Sequence, residues 1–388
     1  MPAVPSAVIG DHGENTIGKG GRRPLVQRKP PTVTTKLRAL AFLGLLTAAL
    51  AGCGAHAAVR HQTHPKRAKV HHVATPGPRL DPLTGKPSTH HGPLLAVMVE
   101  NSEYARPQYG LSSADVVYEA YMEDFYYTRF MLLYWGNAPS LVGPVRSARP
   151  YFVSWVRSWS ADYAHAGGST LADEQIVAEG IHNLDALSNA QNLFFRSSLR
   201  QAPHNLFASV ATLMQAADTT WGNPAVRPQW SFAKQSPGTP PYTSITLRWN
   251  TRNTIEQWRW DSAAQGWTRW VDCPICGGGY TQVMGMNSHQ PVLASNIIIQ
   301  YTSERLDYAD PNVNDRWILI NTHGQGKAIL FLGHKYYVGT WSNAGSGMPT
   351  HFYLANGQPA KFAPGQTWIE VAPTSSAPTA FQMTLGSS

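Results

Sequence analysis

The segment from Lys36 to Cys53 constrains this chain more than any other, because it separates residues that must fold from residues that precede the fold. A basic entrance (Lys36, Arg38) leads into an apolar run from Ala39 to Leu50 and a small-residue exit, Ala51-Gly52-Cys53, which is the layout of a signal peptide. Only 14 residues separate Arg38 from Cys53. A helix that crosses the hydrocarbon of a bilayer needs about 20 apolar residues, so the segment is expected to direct export and not to span. Residues 1–35 are rich in Gly, Pro and basic side chains and carry no apolar face. They fit a start codon assigned too far upstream, or else a long cytoplasmic extension of the signal.

Leu50-Ala51-Gly52-Cys53 resembles the lipobox of bacterial lipoprotein processing, in which the cysteine sulfur takes a diacylglycerol and becomes the first mature residue. Cys53 is the expected lipidation site, and the outer face of the cytoplasmic membrane the expected location. An ordinary secretory signal with an incidental cysteine is the alternative. Each buried methylene contributes about 0.8 kcal/mol, so several acyl chains hold a protein on a membrane where one does not.

The formal charge of +8 suggests nucleic acid until it is divided along the chain. Residues 1–90 carry 13 Lys and Arg against 3 Asp and Glu, which leaves 18 against 20 in residues 91–388. The folded part is nearly neutral and nucleic acid is not an expected partner. The excess lies in the signal region and in a tether at 54–90, where it can rest on anionic lipid or wall polymers. That tether contains Pro65, Pro76, Pro78, Pro82 and Pro87 and few large apolar residues, so it cannot bury enough surface to fold alone. Its histidines (His56, His61, His64, His71, His72, His90, His91) could be a metal-binding tract, but nothing fixes the rings in one geometry, and a solvated linker is expected.

Once Cys53 is lipidated, Cys273 and Cys276 remain, and an exported pair should oxidise. The spacing of Cys273-Pro274-Ile275-Cys276 is that of a redox motif. A reactive low-potential thiol usually sits at a helix start, however, and Gly277-Gly278-Gly279 follows instead. A loop-closing disulfide is expected, with half of a metal site and redox catalysis as alternatives.

Beyond the tether the pattern changes twice. The run Leu94-Leu95-Ala96-Val97-Met98-Val99 reads as a strand covered on both faces, and Thr128 to Trp135 repeats that character. Helices are expected from Arg149 to Trp159 with Ser147 as cap, from Thr170 to Gly180, and from a cap at Asn205 to about Ala217. An α/β first domain over 91–220 results. A Pro/Gly-rich linker at 221–241 precedes a mostly β domain at 242–373, with strands expected at Thr243 to Trp249, Ile255 to Trp260, Asn296 to Tyr301, Trp317 to Ile320, Lys327 to Leu332 and Thr367 to Val371. Residues 374–388 are expected to be a flexible tail.

Several strings in this half-and-half pattern are specific. Val99-Glu100-Asn101, Ala105-Arg106-Pro107-Gln108, Ala114-Asp115-Val116-Val117-Tyr118-Glu119, Gly143-Pro144-Val145-Arg146-Ser147-Ala148-Arg149-Pro150, His165-Ala166-Gly167-Gly168-Ser169, Pro203-His204-Asn205-Leu206, Gly339-Thr340-Trp341 and Pro364-Gly365-Gln366-Thr367-Trp368-Ile369 together resemble the YerB-like lipoproteins, over nearly all of 80–373. The resemblance implies a two-domain, lipid-anchored protein and leaves its chemistry open. The Cys273/Cys276 pair and the histidine tether look like departures from the family pattern, which argues against thiol chemistry as its shared function.

The polar residues of the first domain cluster after the apparent strands, where open α/β sheets bind ligands. Glu100, Asn101, Arg106, Arg129, Arg146, Arg149, His165, Ser169, His204 and Asn205 form the expected ligand-binding set. Arg146 and Arg149 have the fork that matches a carboxylate or phosphate, and Gly167-Gly168-Ser169 opens a helix whose N–H groups favour an anion. The competing reading makes Glu100, Asp115, Arg146 and Arg149 ion pairs that hold long loops. Catalysis would need Glu100 or Glu119 beside His165 or His204, with Ser169 as nucleophile. No Gly-x-Ser-x-Gly elbow, His-Glu-x-x-His helix or phosphate-binding Gly-Lys loop is present in the sequence. No cofactor and no metal are expected. Trp258 and Trp260 share a strand face and read as packing residues, whereas Trp267 and Trp270 are the pair expected to be exposed. The chain is therefore expected to bind an envelope component such as peptidoglycan, with a peptidoglycan hydrolase or transferase built on Glu100, His165 and Arg146, or a scaffold for an envelope enzyme, as alternatives.

Overall fold

An uninterrupted apolar run has no face to offer water, and residues 94–99 accordingly sit inside a sheet: strand β1 (Leu95–Glu100) is buried along its whole length. The computed structural model describes residues 79–122, 127–249, 255–272, 277–307, 317–374 and 381–387. The first half continues with β2 (Val116–Tyr121), β3 (Thr128–Tyr134), helix α1 (Pro150–Trp159), β4 (Asp162–His165), α2 (Thr170–Ala178), β5 (Asn183–Asp185), β6 (Phe194–Arg196), β7 (Leu206–Ala208) and α3 (Val210–Trp221). Strands then follow one another: β8 (Ser231–Phe232), β9 (Ser244–Trp249), β10 (Ile255–Asp261), β11 (Gly266–Asp272), β12 (Tyr280–Gln282), β13 (Leu293–Ala294), β14 (Asn296–Thr302), β15 (Glu304–Asp307), β16 (Trp317–Ile320), β17 (Gly324–Leu332), β18 (Lys335–Asn343), β19 (His351–Leu354), β20 (Lys361–Phe362), β21 (Thr367–Pro373) and β22 (Phe381–Gly386). The signal with Cys53, the tether up to residue 78 and the Cys273/Cys276 pair lie outside the described residues.

Ten strands make one mixed sheet in the order β19-β18-β17-β14-β21-β2-β3-β1-β4-β5. Its two halves meet where β2 pairs in parallel with β21, from Val116 opposite Thr367 to Ala120 opposite Val371. The described residues are mostly β, with a sheet-rich second half. The first half supplies five of these ten strands, with β6 and β7 paired to each other, and three helices, so the expected domain boundary crosses a continuous hydrogen-bonded surface. A second sheet, β12-β11-β10-β9-β22 with β13 paired to β11, comes from the second half alone.

Five expected boundaries move. The tail is not a free end: Phe381, Met383 and Leu385 alternate with polar residues, and β22 pairs antiparallel with β9. The tether ends before residue 90, since Asp81, Leu83 and Thr84 are buried and Asp81 Oδ1 accepts the Leu83 and Thr84 N–H groups in a turn. The linker at 221–241 carries buried Trp230, stacked on Phe362 at 4.6 Å. Helix α3 is capped by Ser209, which accepts the Thr212 N–H, because Leu206-Phe207-Ala208 is drawn into β7 and separates the helix from Asn205. Helix α1 opens on Pro150 with Arg149, not Ser147, in the cap position. Trp267 is also corrected: it is fully buried and donates to the Gly333 carbonyl, while Trp270 is half-buried under the Arg259 guanidinium, 4.1 Å from its ring centre.

The two sheets enclose a charge cluster. Glu119 on β2, Glu370 on β21, Glu256 on β10 and Arg269 on β11 are 0–1% exposed. Arg269 Nη2 donates to Glu119 Oε2 at 2.9 Å and also binds Glu256, and its guanidinium faces the rings of Trp368 and Phe130 at 4.8 and 5.1 Å. Trp249 and Trp258 donate their indole N–H groups to Glu256 and Glu370 at 3.2 and 3.1 Å. Burial, reinforced by Glu256, pushes Glu119 well above the usual carboxylate range and Glu370 up to about 8, while against the cost of burial Arg269 holds Glu256 below that range. Removing the cation would leave these carboxyls buried without it, so Arg269→Met is expected to cost about 3–5 kcal/mol in urea or guanidinium unfolding. The pH dependence has a definite sign. Folded Glu370 keeps a proton that the unfolded chain releases above its ordinary carboxyl pKa, so unfolding free energy should fall as pH rises from about 5 to 8. Glu370→Gln should flatten that slope, and an unchanged slope would remove Glu370 from its origin.

Candidate functional site

Strands β1, β4 and β5 run parallel, so Glu100, His165 and Asp185 all stand at the carboxyl ends of neighbouring strands, with Arg129 opposite Glu100 on antiparallel β3. The segment 145–149 closes over these strand ends. Arg146 N donates to the Met98 carbonyl, its own carbonyl accepts from Ala166 N, and Ala148 N donates to the Gly167 carbonyl. The sequence places Gly143-Pro144 just before this crossing, and the extended Pro144 to Arg149 stretch is held by main-chain bonds on both sides.

Three of the expected residues come together. Glu100 Oε2 accepts Arg146 Nε at 2.9 Å, and Oε1 accepts Arg146 Nη2 at 3.1 Å, His204 Nδ1 at 2.8 Å and the Ser102 hydroxyl at 2.6 Å. Burial works to raise the Glu100 carboxyl, but Arg146 first, then Ser102 and His204, hold it below its ordinary range, so it is ionised at neutral pH. Arg146 and His204 remain 21% and 23% exposed. Arg146 Nη1 and His204 Nε2 make no hydrogen bond to the described residues. Tyr104, itself 62% exposed, lies against the His204 ring at 5.2 Å. Glu100 thus acts as a fixed anchor that holds one edge of a guanidinium and one nitrogen of an imidazole, and leaves the other edge and the other nitrogen directed away from it.

The remaining expected residues serve other purposes. Asn101 turns inward and donates to Glu119 and Thr128, and Arg106 Nη2 bonds the Asn101 carbonyl, so both belong to the buried cluster. Arg129 donates to the Ser147 carbonyl at 2.7 Å from beneath the 145–149 segment, where burial pushes its guanidinium down to about 10. Arg149 is buried with Nη1 on the Ala148 carbonyl. His165 is 1% exposed, with Nδ1 2.9 Å from the Gly167 carbonyl and Nε2 2.6 Å from Asn183 Oδ1, so both nitrogens are committed inside the fold. Ser169 caps α2 through the Ala172 N–H, and Asn205 ties the β6–β7 hairpin through Arg196 and the Ser197 carbonyl. Asp115 accepts the Trp135 and Gly136 N–H groups at the other end of β3. The ion-pair reading therefore holds for Glu100 with Arg146, whereas Asp115 is held by main-chain N–H groups.

Sequence reasoning passed over Glu256, Arg269 and Glu370. Each leaves a mark: Glu256 shares the inward parity of Trp258, Arg269 that of Trp267, and Glu370 stands between apolar Ile369 and Val371. Ligand atoms of Glu119, Glu256 and Glu370 lie within 4.8 Å of one another, close enough for a cation, but the Arg269 guanidinium already stands among them and supplies the positive charge. Among the described residues no helix is long and apolar enough to cross a membrane.

Comparison with known proteins agrees with the layout. Residues 83–223 match the N-terminal domain of the family described as protein of unknown function (DUF3048), and residues 245–369 match its C-terminal domain. A protein of Bacillus subtilis (strain 168) named "Putative lipoprotein YerB" is 29% identical over 300 residues, which are 75% of this chain and 86% of that one. The crystal structure of YerB protein from Bacillus subtilis superposes with a TM-score of 0.67 at 27% identity, covering 79% of this chain and 99% of that one.

The two histidines should part company on mutation. His165→Ala strands the Asn183 and Gly167 oxygens in a buried site and is expected to cost about 2–3 kcal/mol, whereas His204→Ala at the partly exposed site should stay within about 1 kcal/mol in the same unfolding measurement.

Proposed function

Because the chain belongs to the YerB-like DUF3048 family, we propose that it is a lipoprotein held by Cys53 on the outer face of the cytoplasmic membrane, where it binds an anionic group of the cell envelope at Arg146 and His204. The anchor rests on the lipobox-like Leu50-Ala51-Gly52-Cys53 and on the name of the Bacillus relative. The observation that carries the binding reading is the division of labour at Glu100. The carboxylate holds Arg146 by Nε and Nη2 and His204 by Nδ1, which fixes both groups before any ligand arrives. Arg146 Nη1 is then a spare donor, and His204 Nε2 stands uncommitted beside exposed Tyr104. A carboxylate of a stem peptide or a phosphate of a wall polymer offers the oxygens that the free guanidinium edge of Arg146 takes.

One observation favours a second reading. A carboxylate on Nδ1 with Nε2 free is the arrangement that makes an imidazole a proton acceptor, so a peptidoglycan hydrolase or transferase would use His204 in the place expected of His165. No nucleophile among the described residues hydrogen-bonds His204, which places binding ahead of catalysis.

Co-sedimentation of the full chain with purified peptidoglycan, followed by mass spectrometry of released fragments, separates the readings. Retention without new fragments, reduced roughly tenfold or more in Arg146→Ala as expected for losing a charge-assisted contact, is the expected result. Fragments that vanish in His204→Ala would establish the enzyme. Neither retention nor fragments would defeat both and direct attention to a protein partner.

A further inference from the structure

At the end of the sheet opposite Glu100, a cleft of about 720 Å³ opens between the turn at 81–88, the ends of β2 and β3, and loops of the second half. That size is within the usual range for small-ligand sites, roughly 300–1,000 Å³. Its walls are fixed by bonds that cross between the halves. Gln366 Nε2 donates to the Leu111 and Ala114 carbonyls at 2.8 and 2.7 Å, Asn287 Nδ2 donates to the Leu141 carbonyl at 3.1 Å, and the Ser112 and Ser288 hydroxyls meet at 3.2 Å. Gly136 is required at the rim, since a Cβ there would stand 2.5 Å from Asp81 Oδ2 and 4.0 Å from Asp115 Oδ1. The two carboxyl groups therefore flank one point of the wall.

The chemistry of the lining excludes most ligand classes. Asp81, Asp115 and Asp261 face a single cation, Lys86, so an anion is unfavourable. Burial, with Asp81 as neighbour, pushes Asp115 up to about 7, and its Oδ2 is already taken by the Trp135 and Gly136 N–H groups, which leaves it little to offer a cation. What remains is neutral hydroxyl and amide chemistry with a small apolar floor at Pro87, Pro291 and Leu293. The Gln290 side-chain amide and Lys86 Nζ make no hydrogen bond to the described residues, and Asp261 Oδ2 is left over after Oδ1 accepts from Ala263 and Ala264. We infer that this cleft binds a neutral, hydroxyl-rich sugar of one or two rings, whose hydroxyls meet Asp261, Gln290 and the Asp81 side and whose C–H face rests on Pro291 and Leu293. The site is independent of the one at Arg146.

Saturation-transfer NMR and calorimetry on the full chain, with N-acetylglucosamine, its β-1,4 disaccharide and maltose as probes and lysine as the amine control, test this. A dissociation constant of about 1 mM or tighter for a neutral sugar is expected. Gln290→Trp, which fills the cleft from an exposed position, should weaken it roughly tenfold or more with an unchanged melting temperature, and Gln290→Ala should weaken it less. Arg146→Ala should leave sugar affinity as it was, even if peptidoglycan retention is lost. Absence of saturation transfer from all three sugars, equal affinity in Gln290→Trp, or binding of lysine in their place would overturn the inference.

Discussion

The Arg269 guanidinium is the interaction on which the rest of the structure turns. It lies between the ten-stranded sheet, which contributes Glu119 and Glu370, and the second sheet, which contributes Glu256 and Arg269 itself. A buried ion cluster adds little net stability over apolar packing, because desolvation offsets attraction. Its effect is on geometry. Charges with directional partners, framed by Trp249, Trp258 and Trp368, tolerate one register of sheet against sheet, where an apolar surface would accept several.

That fixed register transmits to the surface. Asn101, the residue after Glu100, reaches into the cluster, so the carboxylate that orients Arg146 and His204 is the neighbour of a residue locked into the core. Glu100 and Asn101, adjacent in sequence at the end of β1, point to opposite sides: one holds a partly exposed site and the other the interior. At the far end of the same sheet, Gln366 just before β21 and Asp115 just before β2 shape the second cleft. Both candidate sites thus sit at strand ends of one sheet, where main-chain geometry is most firmly set and side chains are still accessible.

How much of this could be read from the residues follows from what local pattern encodes. The period-two strands of the second half and the helix over residues 150–159 were legible because burial on one face writes itself into alternation. Strand β11 was not, because Gly266 through Arg269 are all buried and no alternation survives. Glu100 could be anticipated from its position after a strand and Arg146 from its place ahead of a helix, but which of His165 and His204 joins them could not. His165 ends a strand-like segment and His204 stands in the loop string Pro203-His204-Asn205, yet only the fold decides that the first is enclosed by Gly167 and Asn183 while the second meets solvent. The sharing of one sheet by two sequence halves is likewise a matter of partner choice, on which a strand's own composition is silent.

The parallel pairing of β2 with β21 has a consequence for how the molecule comes into being. The partners are separated by roughly 250 residues, and contacts so far apart in the chain form late because the intervening segment must first be gathered in. During synthesis the strands β1 to β3 are complete long before β21 exists, so the bonding edge of β2 faces outward as an open template. A nascent chain halted or cleaved in the second half would therefore be a sticky fragment and not a smaller working protein.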